Sequence, residues 1–191
     1  MRVGVFALQG DVREHLQILT SLGVESIEVR NAEQLAFCDG LILPGGESTT
    51  ISKLIDIFEL RGDLLSYISK GNPIYGTCAG MIMLATEVLD AASGQQSLQA
   101  MDISVRRNAF GSQLDSFETS IEFAGNSVDV AFIRAPIVER VGEHVQTLSR
   151  IASGAVVAVR EKNLLATSFH PELTGESAVH EYFLGMISKT H

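Results

Sequence analysis

Cys78 lies between Gly76-Thr77 and Ala79-Gly80, at the end of the short apolar run Pro73-Ile74-Tyr75. Glycines two residues either side of a central residue are the spacing of a nucleophile elbow, where small neighbours let the chain turn tightly and present one side chain. Met81-Ile82-Met83-Leu84-Ala85 restarts an apolar run that predicts a helix. The thiol therefore sits where a helix dipole and unpaired N–H groups favour negative charge. The competing reading is a buried structural cysteine, since free Cys is among the most buried residue types. A nucleophilic thiol also needs a base to take its proton and a third group to orient that base. Phe169-His170-Pro171-Glu172 supplies both. Residues two apart in an extended chain share one side, and Pro171 pushes His170 into the extended region, so His170 and Glu172 can be neighbours on one edge. Taken singly, His170 could be a hydrogen-bonded strand-end histidine and Glu172 the acidic first turn of a helix. His15, His144, His180 and His191 have no extended carboxylate partner of this kind and read as surface residues.

A third stretch, Pro44-Gly45-Gly46-Glu47-Ser48, places two glycines at the end of a predicted strand. Glycines allow backbone N–H groups to turn toward a ligand, which is what stabilising a tetrahedral oxyanion requires. The N–H of Gly46 and that of Ala79, next to the cysteine, would make such a hole. A phosphate loop would carry a lysine after the glycines, and here Glu47 follows instead. A plain tight turn is the other alternative.

The elements that must carry these residues alternate. Residues 1–8 predict a buried strand, and Asp11 with Glu14 predicts a capping-box start to a helix through Val12, Leu16, Leu19 and Leu22, ending at Gly23. Ser26–Val29 is a second strand, Asn31 caps a brief helix through Phe37, and Leu41-Ile42-Leu43 runs into the double-glycine loop. Ile51, Leu54, Ile55 and Phe58 mark one helix face, and Leu64, Leu65 and Ile68 another that Gly71 closes; the fourth strand delivers Cys78. From about Leu98 strands dominate: Met101–Val105, Phe117–Phe123 and Val128–Ile133, with a turn at Gly125-Asn126. Val156–Val159 and Leu164–Phe169 predict a hairpin around Glu161-Lys162-Asn163, and Ser177–Lys189 a closing amphipathic helix. This order predicts an α/β fold, a three-layer, mainly parallel sheet with helices on both faces, plus antiparallel strands in the C-terminal half. Cys78 and His170 both end strands, at the edge where open parallel sheets collect ligands.

With 191 residues, 46% of them apolar and 19% charged, the chain can bury one sizeable core and reads as a single domain, 1–191, without linker, repeat or low-complexity segment. Its 14 basic and 23 acidic residues leave a net charge of −9, which repels a phosphate backbone. With no Trp there is little to stack bases on, so nucleic acid is not an expected partner. No apolar run approaches the roughly eighteen residues of a membrane span. The N-terminal run turns polar at Gln9-Gly10-Asp11 and reads as a strand rather than a signal peptide. Cys38 and Cys78 are the only cysteines, with no C-x-x-C or Cys/His cluster. No metal site is expected, Cys38 reads as structural, and a cytoplasmic location with free thiols is the simplest reading.

The stretches Gly76-Thr77-Cys78-Ala79-Gly80, Pro44-Gly45-Gly46-Glu47-Ser48-Thr49 and His170-Pro171-Glu172 together resemble the class I glutamine amidotransferases, whose triad is Cys-His-Glu. Leu8-Gln9-Gly10 with Arg13-Glu14-His15, Arg107-Asn108-Ala109-Phe110-Gly111 with Asp115-Ser116-Phe117-Glu118, and Phe132-Ile133-Arg134-Ala135-Pro136 narrow the resemblance, over almost the entire chain, to the glutaminase subunits of pyridoxal phosphate synthases. Residues 91–100 match nothing that is carried over. The resemblance implies a flavodoxin-like fold, Cys78 as nucleophile, His170 as its base and proton donor, Glu172 as orienter, and an oxyanion hole from Gly46 and Ala79. It places L-glutamine against Gly46, Glu47, Ser48, Arg107, Ile133 and Arg134, with Arg106 the alternative if the register is off by one, and leaves open which glutamine group each arginine meets. It implies no cofactor. The implied partner is a (β/α)8-barrel synthase subunit in a large hetero-oligomer, on whose docking glutaminase activity depends. Two alternatives remain at this point: a glutaminase serving another biosynthetic synthase, and a non-enzymatic or stress-response protein on a related cysteine-bearing α/β fold.

Overall fold

The computed structural model describes residues 1–109 and 116–190; Phe110, Gly111 and Asp115 of the sequence motifs, and His191, lie outside the described residues. In chain order the elements are β1 (Arg2–Phe6), α1 (Val12–Ser21), β2 (Glu25–Val29), α2 (Ala32–Ala36), β3 (Gly40–Leu43), α3 (Ser48–Ile57), α4 (Arg61–Ser69), β4 (Ile74–Thr77) and α5 (Ala79–Leu84). There follow β5 (Ala85–Val88), β6 (Met101–Arg106), β7 (Ser116–Phe123), β8 (Asn126–Ile133), β9 (Ile137–Val141), β10 (Gln146–Arg150), β11 (Val156–Glu161), β12 (Leu164–Thr167), α6 (Pro171–Thr174) and α7 (Ala178–Ile187).

Strands β3, β4 and β12 are buried at every residue, the pattern of a sheet covered on both faces. They lie in one sheet of order β2-β1-β3-β4-β12-β11-β9-β6-β5, with β10 paired to the outside of this path on β11. The first five strands run parallel, β11 is antiparallel to both β12 and β9, β6 pairs antiparallel with β9, and β5 parallel with β6. Parallel pairing of β12 with β4 sets Thr167 beside Thr77, so the ends that deliver Cys78 and His170 are neighbours although they are far apart in sequence.

Alternation along each strand feeds two separate cores. Leu41, Leu43 and Ile74 point into one, with Leu35 of α2, Ile51 and Ile55 of α3, Leu64 of α4 and Met83 of α5. Ile42 and Tyr75 point into the other, with Leu19 of α1, Phe183 and Ile187 of α7, and Phe123, Val130 and Phe132 of β7 and β8. The β7–β8 hairpin thus covers sheet where another helix would otherwise lie. Its turn is Ala124-Gly125, at φ 49° and 87°, the paired positive φ of a type I′ turn. That is one residue before the turn expected at Gly125-Asn126.

Four sequence expectations need correction. The helix after Cys78 stops at Leu84, because Ala85 is already extended and Ala85–Val88 pairs with β6. Strands β9 and β10 were not foreseen: Glu139 and Arg140 interrupt the apolar pattern of one, and the other reads Gln-Thr-Leu-Ser-Arg. Phe58 and Leu65 do not face the core; Phe58 caps α3 beyond its last turn and both are exposed. His15 and His180 are not surface residues but fully buried, on the same helix faces as Ile18 and Leu19, and as Val179 and Phe183. His144 is exposed, as expected.

Candidate active site

Cys78 takes φ 47°, ψ −99° between the end of β4 and the start of α5. A non-glycine residue there is strained, and such strain persists only where surrounding contacts impose it. Its N–H donates to the Thr167 carbonyl at 2.7 Å, and its carbonyl accepts from Ile82 N–H at 3.2 Å. The two glycines permit the turn. A Cβ on Gly76 would lie 2.5 Å from the Gly80 carbonyl carbon, and one on Gly80 would lie 2.1 Å from Leu43 O of β3. Ala79 opens α5, so its N–H is one of the first-turn donors that find no acceptor within the helix.

His170 follows β12 in extended backbone, φ −111° and ψ 92°, as the residue before a proline should. Its N–H donates to Ala131 O of β8 at 2.8 Å, so the hairpin on the far face helps to hold it. Nδ1 meets Glu172 Oε1 at 2.6 Å, while Cys78, whose Sγ lies 4.0 Å from the Ile133 carbonyl oxygen, lines the same cleft as the ring. Burial opposes a charge on the ring, but the neighbouring Cys78 and the hydrogen-bonded Glu172 carboxylate prevail, raising its pKa from 6.5 to about 10. For Glu172 burial likewise opposes ionisation, yet His15, His170 and a backbone hydrogen bond hold its pKa below the ordinary value. An imidazolium held between a thiol and a carboxylate is the arrangement from which a thiolate attacks.

Asp11 does not cap α1 with its side chain. Its Oδ2 lies 3.5 Å from His170 Nδ1, and its N–H donates to Gly45 O at 3.0 Å. Burial raises the Asp11 pKa, with the His170 charge working the other way. Gly45 has to be glycine, because a Cβ there would lie 2.3 Å from His170 Cε1. Gly46, at φ 152°, packs against Gln9, whose Oε1 accepts the Glu47 N–H at 2.8 Å. Glu47 in turn caps α3, accepting from Thr50 N–H at 2.8 Å and Thr49 N–H at 3.3 Å, and these bonds outweigh its partial burial to lower its pKa. Arg107 reaches this corner: Nη1 donates to Gln95 Oε1 at 2.9 Å and Nη2 lies 3.5 Å from Glu47 Oε1. Gln95 Nε2 donates to Ser48 Oγ at 3.0 Å. Arg106 turns away to Glu139 at 2.6 Å, so Arg107 is the arginine of the pair that faces the site.

These residues surround a cleft of about 350 Å³. Gly46, Glu47, Ser48, Arg107, Ile133 and Arg134 all line it, with Cys78 and His170, while Glu172 is buried behind His170. Sequence reasoning did not single out Gln9, Asp11, Ile82, Asn108 and Leu173 as lining residues. Gln9 and Asp11 follow β1, whose C-terminal end abuts that of β3, and the strand-end rule would have found them. One potential ligand atom from each of Asp11, His170 and Glu172 lies within 4.8 Å of the others, close enough to converge on a cation. Nδ1, however, is already engaged with Glu172, and two of the three residues are the hydrogen-bonded pair described above.

Residues 5–189 match the model of the SNO glutamine amidotransferase family. The chain is 53% identical over 194 residues to pyridoxal 5'-phosphate synthase subunit PdxT of Rhodococcus opacus (strain B4), covering 97% of this chain and 96% of that one. It is 54% identical over 194 residues to the protein of the same name in Dehalococcoides mccartyi (strain BAV1), covering 100% and 99%. A solved structure described as a glutamine amidotransferase superposes with a TM-score of 0.92 at 45% identity, over 97% of this chain and 98% of that one. PurLQS from Thermotoga maritima, at 16% identity and a TM-score of 0.67 over 100% and 99% of the chains, shares the fold alone. A match that begins in β1 and runs past the end of α7 takes in every element of the fold, and the chain belongs to the SNO glutamine amidotransferase family.

Proposed function

We propose that this chain hydrolyses L-glutamine to L-glutamate and ammonia and hands the ammonia to the synthase subunit of pyridoxal 5'-phosphate synthase, for vitamin B6 biosynthesis. The observation that carries the reading is His170, hydrogen-bonded to Glu172 and facing, with Cys78, a cleft that Arg107 and Glu47 also line. In this reading the Cys78 thiolate attacks the side-chain amide carbon, and the carbonyl electron pair moves to oxygen. The N–H groups of Gly46 and Ala79 stabilise that oxyanion. His170, oriented by Glu172, gives its proton to the departing nitrogen, and ammonia leaves with formation of a thioester. Water then loses a proton to His170 and attacks the thioester, releasing glutamate and the thiolate. An α-carboxylate is matched by the guanidinium of Arg107 or Arg134, and an α-ammonium by the Glu47 carboxylate or a carbonyl. Ser48 and Ile133 complete the pocket, and no cofactor takes part.

Ammonia released into neutral water is mostly protonated and no longer a nucleophile, so it has to pass directly to a second chain. Relatives that are subunits of pyridoxal 5'-phosphate synthase support that synthase as the recipient. The partner in this reading is a (β/α)8 barrel, bound in a large hetero-oligomer in the cytoplasm, and the chain is one glutaminase domain, 1–191. No helix among the described residues is long and apolar enough to cross a membrane, and both cysteines are free.

Glutamate release from L-glutamine, measured with and without the synthase subunit, tests the reading. We expect activity only with the partner, because the Gly45-Gly46 hole is completed on docking, and none in Cys78→Ala. Activity unaffected by Cys78→Ala would remove the mechanism; full activity of the isolated chain would remove the dependence on docking.

A further inference from the structure

Outside the cleft, His15 of α1 and His180 of α7 are fully buried, and the mechanism uses neither. His15 Nε2 stands 3.2 Å from Thr77 Oγ1 and 3.6 Å from Glu172 Oε1, the same oxygen that meets His170 Nδ1 at 2.6 Å. His15 Nδ1 meets His180 Nε2 at 2.9 Å, and His180 Nδ1 is buried without a hydrogen-bond partner. Burial lowers the pKa of both rings, that of His180 to about 3, so each is neutral and carries one proton.

Those protons have two arrangements. In the first, His15 Nδ1–H donates to His180, a lone pair on His15 Nε2 faces a carboxylate oxygen, and His180 buries an unpaired N–H. In the second, His180 Nε2–H donates to His15 Nδ1, and His15 Nε2–H faces Thr77 and Glu172. Only an acceptor lone pair on His180 is then left over. Orphaned buried donors are rarer than under-satisfied acceptors, and a carboxylate favours an N–H, so both counts select the second.

We propose that His15 is a positioning residue of the triad: fixed in its Nε2–H form by His180 behind it, it donates to Thr77 Oγ1 and sets that polar N–H 3.6 Å from the Glu172 oxygen that orients His170. This rests on the glutaminase reading of Cys78, His170 and Glu172. Asp11 and Glu14 beside or on α1, Tyr75 on β4, and His170 and His180 also face Glu172 electrostatically. The two acidic groups oppose its charge, whereas His15 and His170 support it. The other Glu172 oxygen, Oε2, is buried without a hydrogen-bond partner, so loss of His15 leaves His170 as the only imidazole on the carboxylate.

The test is the pH profile of glutamate release by the complex with the synthase subunit. In His15→Leu, kcat should fall about 10- to 100-fold, the range that outer partners of functional histidines command, with KM little changed. Both limbs should move up, the acid limb because Glu172 protonates more readily and the alkaline limb because a carboxylate no longer shared with His15 holds the His170 proton more tightly. His15→Gln, whose amide nitrogen can replace Nε2–H, should restore the wild-type limbs, and His180→Phe should move both limbs up partway. If His15→Leu loses activity and melting temperature while neither limb moves, the role is structural and the proposal falls. If that variant does not fold, His180→Phe and ring 15N NMR of the native full chain decide; protonation of His15 at Nδ1 would overturn the assignment. A native complex that releases no glutamate would instead remove the glutaminase reading, and the NMR result would still test His15.

Discussion

His170 is buried, which disfavours a charged ring, yet its neighbours hold it protonated up to a pH of about 10. Because this folded-state value lies above the ordinary 6.5, the ring's contribution to stability is complete below about pH 6.5 and is lost as pH rises through about 10. Glu172→Gln keeps the size of the side chain and removes its charge, so the window in which His170 stabilises the fold should close at lower pH. Urea midpoints of both proteins at pH 6, 8 and 10 would show it as a native advantage that is larger at pH 8 than at pH 10. The same substitution should lower kcat by on the order of 10²- to 10⁴-fold, the cost of losing the group that orients a catalytic histidine. A pH-independent difference between the two proteins would mean that Glu172 acts through packing alone. Gly45 shows the complementary constraint, since the absence of its side chain leaves room for the His170 ring.

Elements place these groups by their ends. β4 and β12 lie side by side and parallel, so a turn after one and an extended exit from the other bring Cys78 and His170 together. α3 begins at the double-glycine loop, and its cap, Glu47, is held near Arg107 by a segment with little regular structure whose Gln95 bridges Arg107 and Ser48. The β7–β8 hairpin serves the same end from the other face, through the pairing of Ala131 with His170. Its turn has an alanine at φ 49°, a conformation that asparagine adopts more readily. Ala124→Asn should therefore raise the melting temperature, by the equivalent of about 0.5–1 kcal/mol, without changing the site. A lower melting temperature would contradict the turn assignment.

Across the whole molecule, two cores on opposite faces of one sheet make the site depend on packing far from it. Phe132 is fully buried and meets Phe169 edge-on at 5.7 Å between centroids, one residue before His170. Phe132→Ala should cost about 3–5 kcal/mol of stability and lower activity even where the protein remains folded. Chemical denaturation followed by assay below the transition separates the two effects; unchanged activity would uncouple the hairpin from the triad. The strand-helix rhythm, the strand-end loops, the glycines around Cys78 and the extended His170-Pro171-Glu172 were legible in the sequence, because each follows from backbone sterics acting over a few residues. Tertiary structure decided what depends on which elements meet. It buried His15 and His180, although their spacing with Ile18, Leu19, Val179 and Phe183 already matched a buried helix face. It turned Asp11 from a helix cap toward His170, brought Gln95 from the unmatched segment 91–100 to Arg107, and made strands of Ile137–Val141 and Gln146–Arg150. Apart from that helix spacing, none of these was written in a local pattern, because a polar side chain beside an apolar one is read as exposed until the partner that satisfies it arrives from elsewhere in the chain.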